Sequence, residues 1–191
     1  MSRPLLVIVS GPPGAGKTTV ARRLGPALGL PVVAKDDIKE SLFGSLGWSD
    51  REWSRKLGAA TWRLLFLVLE RLMEAGTSAL IESNFDRRLH VGQFRDLSDR
   101  FGFDVVEVYC TANVETLARR YRERELSGDR HPGHEGSDYS PDDESFAVEL
   151  TQREHVPLGV ALLTFEVDTT DPERVDLDEI VGAVREGLHG T

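Results

Sequence analysis

The chain has 191 residues, 40% of them apolar and 29% charged, which is enough for one full hydrophobic core and excludes a disordered chain. No apolar run reaches the roughly 18 residues of a membrane span, and the single cysteine, Cys110, excludes an internal disulfide framework. The formal net charge of −9 argues against tight, nonspecific binding to a nucleic-acid backbone, and because Met1-Ser2-Arg3-Pro4 runs straight into the first apolar strand, no signal peptide is expected.

In chain order, Leu5-Leu6-Val7-Ile8-Val9 reads as a fully buried parallel strand that ends at Ser10. A Gly-rich octapeptide leads from it into a helix over Lys17–Leu28. Gly25-Pro26 predicts a kink or an end to that helix near Leu24, because proline removes a helix hydrogen bond. A strand over Pro31–Lys35 and a short helix over Asp37–Leu46 follow. The long helical segment from Asp50 to Glu74 carries Trp53, Leu57, Ala60, Leu64, Leu67, Val68 and Leu72 at helical spacing, and this stripe is expected to face the core. Gly76 is its stop signal. Next come a strand over Ser78–Ser83, a helix over Arg87–Phe101 and a strand over Asp104–Cys110, with Cys110 as a small core residue. Asn113 is placed to cap a helix over Val114–Leu126. Residues 127–141 are rich in Gly, His, Asp and Ser and read as a loop. A helix over Asp142–Gln152, a strand over Leu162–Val167 and a helix over Val175–Leu188 complete the chain. This alternation predicts one domain over 1–191 with five mostly parallel strands and helices on both faces.

Residues Gly11-Pro12-Pro13-Gly14-Ala15-Gly16-Lys17-Thr18 match the phosphate-loop pattern G-x-x-x-x-G-K-[ST] at every specified position, in the required setting of strand, loop and helix. The expected fold is therefore the three-layer α/β/α P-loop NTPase fold. The glycines let successive backbone N–H groups turn inward toward an anion, and the helix N-terminus that includes Thr19 adds donors and a positive dipole end. Lys17 supplies charge for the β- and γ-phosphates, and Thr18 offers a hydroxyl to Mg²⁺.

Three further groups follow from position. Lys35-Asp36-Asp37-Ile38-Lys39 closes the second strand, where ligands of an open parallel sheet sit. Asp36 there can take a proton from an acceptor hydroxyl or order the waters on Mg²⁺, or else Asp36 or Asp37 caps the following helix. Glu82, in Ile81-Glu82-Ser83-Asn84 at the end of the third strand, stands near the metal or simply makes a turn. Arg119, Arg120, Arg122 and Arg124 lie on one helix, followed by Arg130. Glu115–Arg119 and Arg119–Glu123 are ordinary helix ion pairs, whereas Arg120 and Arg124 are like charges four apart, better tolerated around an anion. The segment His131-Pro132-Gly133-His134 belongs to a lid-like loop rather than to a metal site, and Arg130 and His131 are candidates to touch phosphate or acceptor. Trp53 and Trp62 read as packing residues, and Trp48 as a possible wall of the acceptor pocket.

Taken in this order, these segments resemble the small P-loop kinases, and most nearly the group containing polynucleotide 5′-kinase, chloramphenicol phosphotransferase and zeta toxin. The likeness runs from about Leu5 to Arg130. It implies Asp36 as general base, Lys39 as a contact to an acceptor phosphate or other anion, and Glu82 in place of the group's aspartate near the metal. It further implies Arg120 and Arg124 as transition-state arginines on a lid over about 114–141. The implied activity is transfer of the γ-phosphoryl of ATP, with Mg²⁺, to a hydroxyl of a small molecule in the cytoplasm. ATP in preference to GTP rests on this likeness alone. A polynucleotide 5′-hydroxyl kinase, disfavoured by the acidic charge, and a slowly hydrolysing nucleotide-binding regulator are the alternatives. No Asn/Thr-Lys-x-Asp or Leu-Ser-Gly-Gly-Gln segment occurs, which argues against a GTPase switch and a transport ATPase.

Overall fold

The computed structural model describes residues 3–127, 131–134 and 156–189. Five parallel strands form one sheet: β1 (Leu5–Ser10), β2 (Val32–Ala34), β3 (Ala79–Glu82), β4 (Asp104–Thr111) and β5 (Leu163–Asp168), in the order β2-β3-β1-β4-β5. The helices are α1 (Lys17–Leu28), α2 (Lys35–Leu46), α3 (Arg51–Glu74), α4 (Arg87–Phe101), α5 (Val114–Leu126) and α6 (Asp178–His189). Together they make the expected three-layer α/β/α fold. The expected helix over 142–152, and Arg130, lie outside the described residues.

β1 is buried along its whole length, and its two side-chain parities feed two cores. Leu5, Val7 and Val9 pack with Val20 and Leu24 of α1, Leu117 and Tyr121 of α5, and Ile180 and Val184 of α6. Leu6 and Ile8 face Leu65, Leu69 and Met73 of α3, and Phe94 and Leu97 of α4. Register pairs Val9 with Glu82 on one side and with Val108 on the other, and Glu82 in turn with Ala34. The C-terminal ends of β2, β3 and β1 therefore open side by side. β3 and β4 flank β1, so the chain's crossovers diverge from β1 and leave a crevice above its end.

Four sequence expectations are corrected. α1 runs through Pro26 to Leu28. Only the bond to the carbonyl of Arg22 is forfeited, and the end is closed two residues later, where Gly29 is left-handed and the Leu30 N–H donates to the Gly25 carbonyl at 3.0 Å. Gly25 lets Val32 pack close against the helix there, since a Cβ would lie 2.2 Å from Cγ2 of Val32 and push that side chain aside. α2 starts at Lys35 with Ala34 in the cap position. Asp36 and Asp37 therefore lie in the first turn, where they complement the helix dipole rather than cap it.

On α3 the buried positions are Leu57, Thr61, Leu65, Leu69 and Met73. Leu64, Leu67 and Val68, expected inside, are 37%, 46% and 38% exposed. The helix is apolar at neighbouring positions, so a shift of one residue, about 100°, fits the same spacing. Thr61 is accommodated because its hydroxyl donates to the Leu57 carbonyl at 2.7 Å. Finally, α6 begins at Asp178 rather than at Val175. Val175 and Leu177 enter the core from an extended linker, and Asp176 Oδ1 accepts from the Asp178 N–H at 2.9 Å. The Asn113 cap is present, its side chain accepting from the Thr116 N–H at 2.8 Å.

Candidate active site

The phosphate loop leaves β1 at Ser10 and re-enters regular structure at Lys17. Gly11 has φ +138°, and a Cβ on it would lie 2.1 Å from the Cys110 carbonyl oxygen, so only glycine lets the loop turn tightly against β4. Cys110 beneath it is fully buried, and burial pushes its thiol up to about 12. Gly11, Pro12 and Ala15 are buried under the loop. Pro13, Gly14, Gly16, Lys17, Thr18 and Thr19 line a cleft of about 510 Å³.

Lys17 Nζ donates to the Pro12 carbonyl at 2.8 Å. Burial holds its ammonium below the ordinary lysine value, while the charges of Glu82 and Asp36 oppose that shift and Arg124 adds to it. Thr18 Oγ1 donates to Glu82 Oε2 at 3.1 Å. Glu82 is only 6% exposed, and burial raises its carboxyl above the usual range, with Lys17 pulling the other way. A hydroxyl beside a buried carboxylate is an all-oxygen donor pair of the kind a hard divalent cation takes, so these residues fit Mg²⁺.

The opposite wall comes from the first turns of α2. Asp36 faces the cleft with its side chain 52% exposed, and Lys35 Nζ lies 3.4 Å from Asp36 Oδ1. Lys35 also stands 5.3 Å from the centre of the Trp62 ring. Asp37 is absent from the lining. One turn on, Lys39 Nζ donates to Ser54 Oγ at 3.1 Å, and Ser54 Oγ donates to the Gly133 carbonyl at 2.9 Å. This bridge seats the 3₁₀ turn Pro132–His134 on α2 and α3. His131 stacks on Phe43 with ring centres 4.9 Å apart, and Trp48 meets His131 edge-on at 6.3 Å. His134, 4% exposed, lines the cleft.

α5 supplies the roof. Arg124 lines the cleft and lies 5.8 Å from the centre of the Tyr121 ring. Arg119 Nη1 is 3.7 Å from Glu123 Oε1, as the spacing predicts. Arg120 also lines the cleft, but its guanidinium donates to Thr169 O at 2.6 Å, to Thr169 Oγ1 at 3.1 Å and to Gly14 O at 3.4 Å. It holds the loop after β5 against the phosphate loop. A second cavity of about 200 Å³ adjoins it, lined by Gly16, Thr19, Val20, Arg23, Arg120, Thr169, Pro172 and Val175.

Of the residues singled out from the sequence, Lys17, Thr18, Asp36, Lys39, Glu82, Arg120 and Arg124 thus share one cleft. Lys35, Ser83, Asn84, Tyr121 and His134 line it as well, without having been assigned roles. In the sequence, only adjacency to Glu82 and Asp36 points to Ser83, Asn84 and Lys35.

A family model described as an AAA domain matches residues 6–136. The chain belongs to this AAA domain family. The structure of a candidate kinase from Chloroflexus aurantiacus superposes with a TM-score of 0.89 at 35% identity, covering 98% of this chain and 100% of that one. A shikimate kinase from Corynebacterium efficiens is 50% identical over 44 residues, 23% of this chain and 25% of the relative. A cytidylate kinase from Sulfurisphaera tokodaii is 28% identical over 124 residues, 63% of each. The chain therefore spans less than two thirds of the length of these two curated relatives. Both curated relatives are named as kinases, in line with the kinase likeness of the motif order. Among the described residues no helix is long and apolar enough to cross a membrane.

Proposed function

We propose that this AAA domain protein is an ATP-dependent phosphotransferase that moves the γ-phosphoryl group to a hydroxyl of a small molecule. One observation carries the reading. A phosphate loop with its lysine, a hydroxyl–carboxylate pair suited to Mg²⁺, a carboxylate on the facing wall and an arginine on the roof converge on a single cleft.

Lys17 and the loop amides hold the β- and γ-phosphates. Thr18 and Glu82 would hold Mg²⁺, which when bound neutralises charge on the phosphate oxygens. Asp36 accepts the proton of the acceptor hydroxyl as that oxygen bonds to the γ-phosphorus and the bond to the β-phosphate oxygen breaks, leaving ADP. Arg124 faces the charge that develops on the transferring group. Arg120, already bound to the loop after β5, supports the nucleotide rather than reaching across the cleft. The nucleotide base enters the second cavity, against Val20, Pro172 and Val175. Lys39, with Arg130 beyond it in the chain, meets anionic groups of the acceptor. ATP as donor and a place in the cytoplasm, where a reduced thiol such as Cys110 is ordinary, complete the reading.

The test is an ADP-release screen with Mg·ATP against nucleosides, sugars, antibiotics and 5′-hydroxyl oligonucleotides. Release stimulated by an acceptor, and lost in Asp36→Asn, supports transfer to that hydroxyl. Stimulation by oligonucleotides alone makes the protein a polynucleotide kinase. A rate that no acceptor raises contradicts the proposal and leaves a slow nucleotide hydrolase.

A further inference from the structure

We infer that Thr169 is the positioning residue that locks the phosphate loop to the nucleotide-base loop, an inference that rests on the nucleotide-binding reading above. Thr169 follows β5 and is 3% exposed. Its N–H donates to the Thr111 carbonyl at 2.8 Å, which carries the strand pairing of β5 with β4 one residue beyond the sheet. Its Oγ1 lies 3.1 Å from the Ala15 carbonyl and 3.0 Å from the Thr111 carbonyl, and accepts from Arg120 Nη1 at 3.1 Å. One hydroxyl thus joins four segments: the phosphate loop, the end of β4, α5 and the loop after β5.

The need for it comes from the phosphate loop itself. A loop that turns its N–H groups toward an anion sends carbonyls the other way, into the protein, where each needs a donor. Ala15 is fully buried, and the hydroxyl of Thr169 reaches its carbonyl. The hydroxyl has one proton and two lone pairs, so it can donate to Ala15 while receiving Arg120. Arg120 in turn donates to the Thr169 carbonyl at 2.6 Å, which sets the path of the chain toward Pro172 and Val175. The same residues bound the second cavity. Removing the hydroxyl strips a partner from a buried carbonyl on the phosphate side and loosens Arg120 on the base side. The acceptor wall is built separately by Asp36 and Lys39 of α2 and by His134. The defect should therefore fall on the nucleotide.

The experiment is titration with a fluorescent N-methylanthraniloyl ATP in the presence of Mg²⁺, which needs no acceptor. Thr169→Val keeps the shape and loses the hydroxyl; it is expected to bind about tenfold more weakly, equivalent to ~1.4 kcal/mol. Thr169→Ser keeps the hydroxyl and is expected within about twofold of the parent, a rescue that loss of general packing would not produce. Thr169→Ala removes the same hydroxyl without a new methyl and replaces the valine variant should that one not melt cooperatively. Binding by Thr169→Val or Thr169→Ala within twofold of the parent overturns the inference, as does a serine variant as weak as the valine one. Lys17→Ala, run alongside, separates the two levels. If it binds as the parent does, the phosphate-loop reading falls and this inference with it. If it loses binding while Thr169→Val does not, only this inference falls.

Discussion

Asp36→Asn changes one charge on the cleft wall that faces the phosphate loop. Among the described residues lining the cleft the carboxylates are Asp36 and Glu82, and Glu82 is already bonded to Thr18. No second carboxylate therefore stands ready on the α2 wall to take the acceptor proton. Loss of a general base costs about 10²–10⁴ in rate, or ~2.7–5.4 kcal/mol at ~1.36 kcal/mol per factor of ten. The fold should not contribute to that loss. Asparagine is nearly isosteric, and the ion pair that disappears, Lys35 with a half-exposed Asp36, contributes at most about 1 kcal/mol. Nucleotide affinity should change by less than about threefold, because Asp36 acts on Lys17 less than burial and the charge of Glu82 do. Asp37→Asn is the matched control, in the same helical turn but absent from the cleft lining, and it should turn over like the parent. The assay is acceptor-stimulated ADP release at saturating Mg·ATP, with nucleotide titration and thermal melting of each variant. An Asp36→Asn protein within about threefold of the parent rate refutes the base assignment. So does one that loses nucleotide affinity in step with turnover.

Arg124→Ala should lower kcat by about 10³-fold while the nucleotide KM stays near the parent value, as removal of a transition-state cation does; a change confined to the acceptor KM would make Arg124 a substrate-binding residue instead. Nucleotide affinity should fall as pH rises into the alkaline range. Burial sets the pKa of Lys17 below the ordinary lysine value, and it is the protonated ammonium that holds phosphate, so the loss begins before an ordinary lysine would titrate. In the unliganded protein the sign is opposite: a depressed lysine pKa favours the fold at high pH, and that contribution fades as pH falls through the folded value. Titration across pH 7–10 checks this, and Lys17→Arg, charged throughout, should remove the alkaline fall from whatever affinity it retains. On α3, Leu65→Ala should cost about 2–5 kcal/mol in chemical denaturation and Leu67→Ala less than about 1, because Leu65 is 1% exposed and Leu67 46%. Equal losses would contradict the packing face described above.

The parts of the site that were legible in the sequence are those carried by local spacing. Gly11 to Thr18 announces its own geometry, because glycines, lysine and threonine act within one turn of chain between a strand and a helix. Asp36 and Glu82 were legible one step further out, since each ends a strand of a parallel sheet and the ends of such strands converge. What was hidden depends on pairs of residues far apart. Thr169 sits in Val167-Asp168-Thr169-Thr170, which carries no local sign of a hub; its importance arises from contact with Ala15, 154 residues away. Arg120 belongs to an arginine-rich helix, and only the placement of β5 turns it toward the loop after that strand. Leu64, Leu67 and Val68 lie off the buried face because α3 is apolar on adjoining stripes, and the sheet selects the stripe that ends in Met73. Pro26 suggests a break because its ring suits no helix interior, but α1 ends two residues beyond it, where little remains to be broken.

The central claim is that the loop from Gly11 to Thr18 grips the phosphates of a nucleotide through its amides and Lys17. Calorimetric titration of the parent and of Lys17→Ala with Mg·ATP tests it directly. The account predicts saturable one-to-one binding by the parent and a loss of at least tenfold in affinity in a Lys17→Ala protein that melts like the parent. Equal affinity in the two proteins, or no binding by the parent, would contradict it.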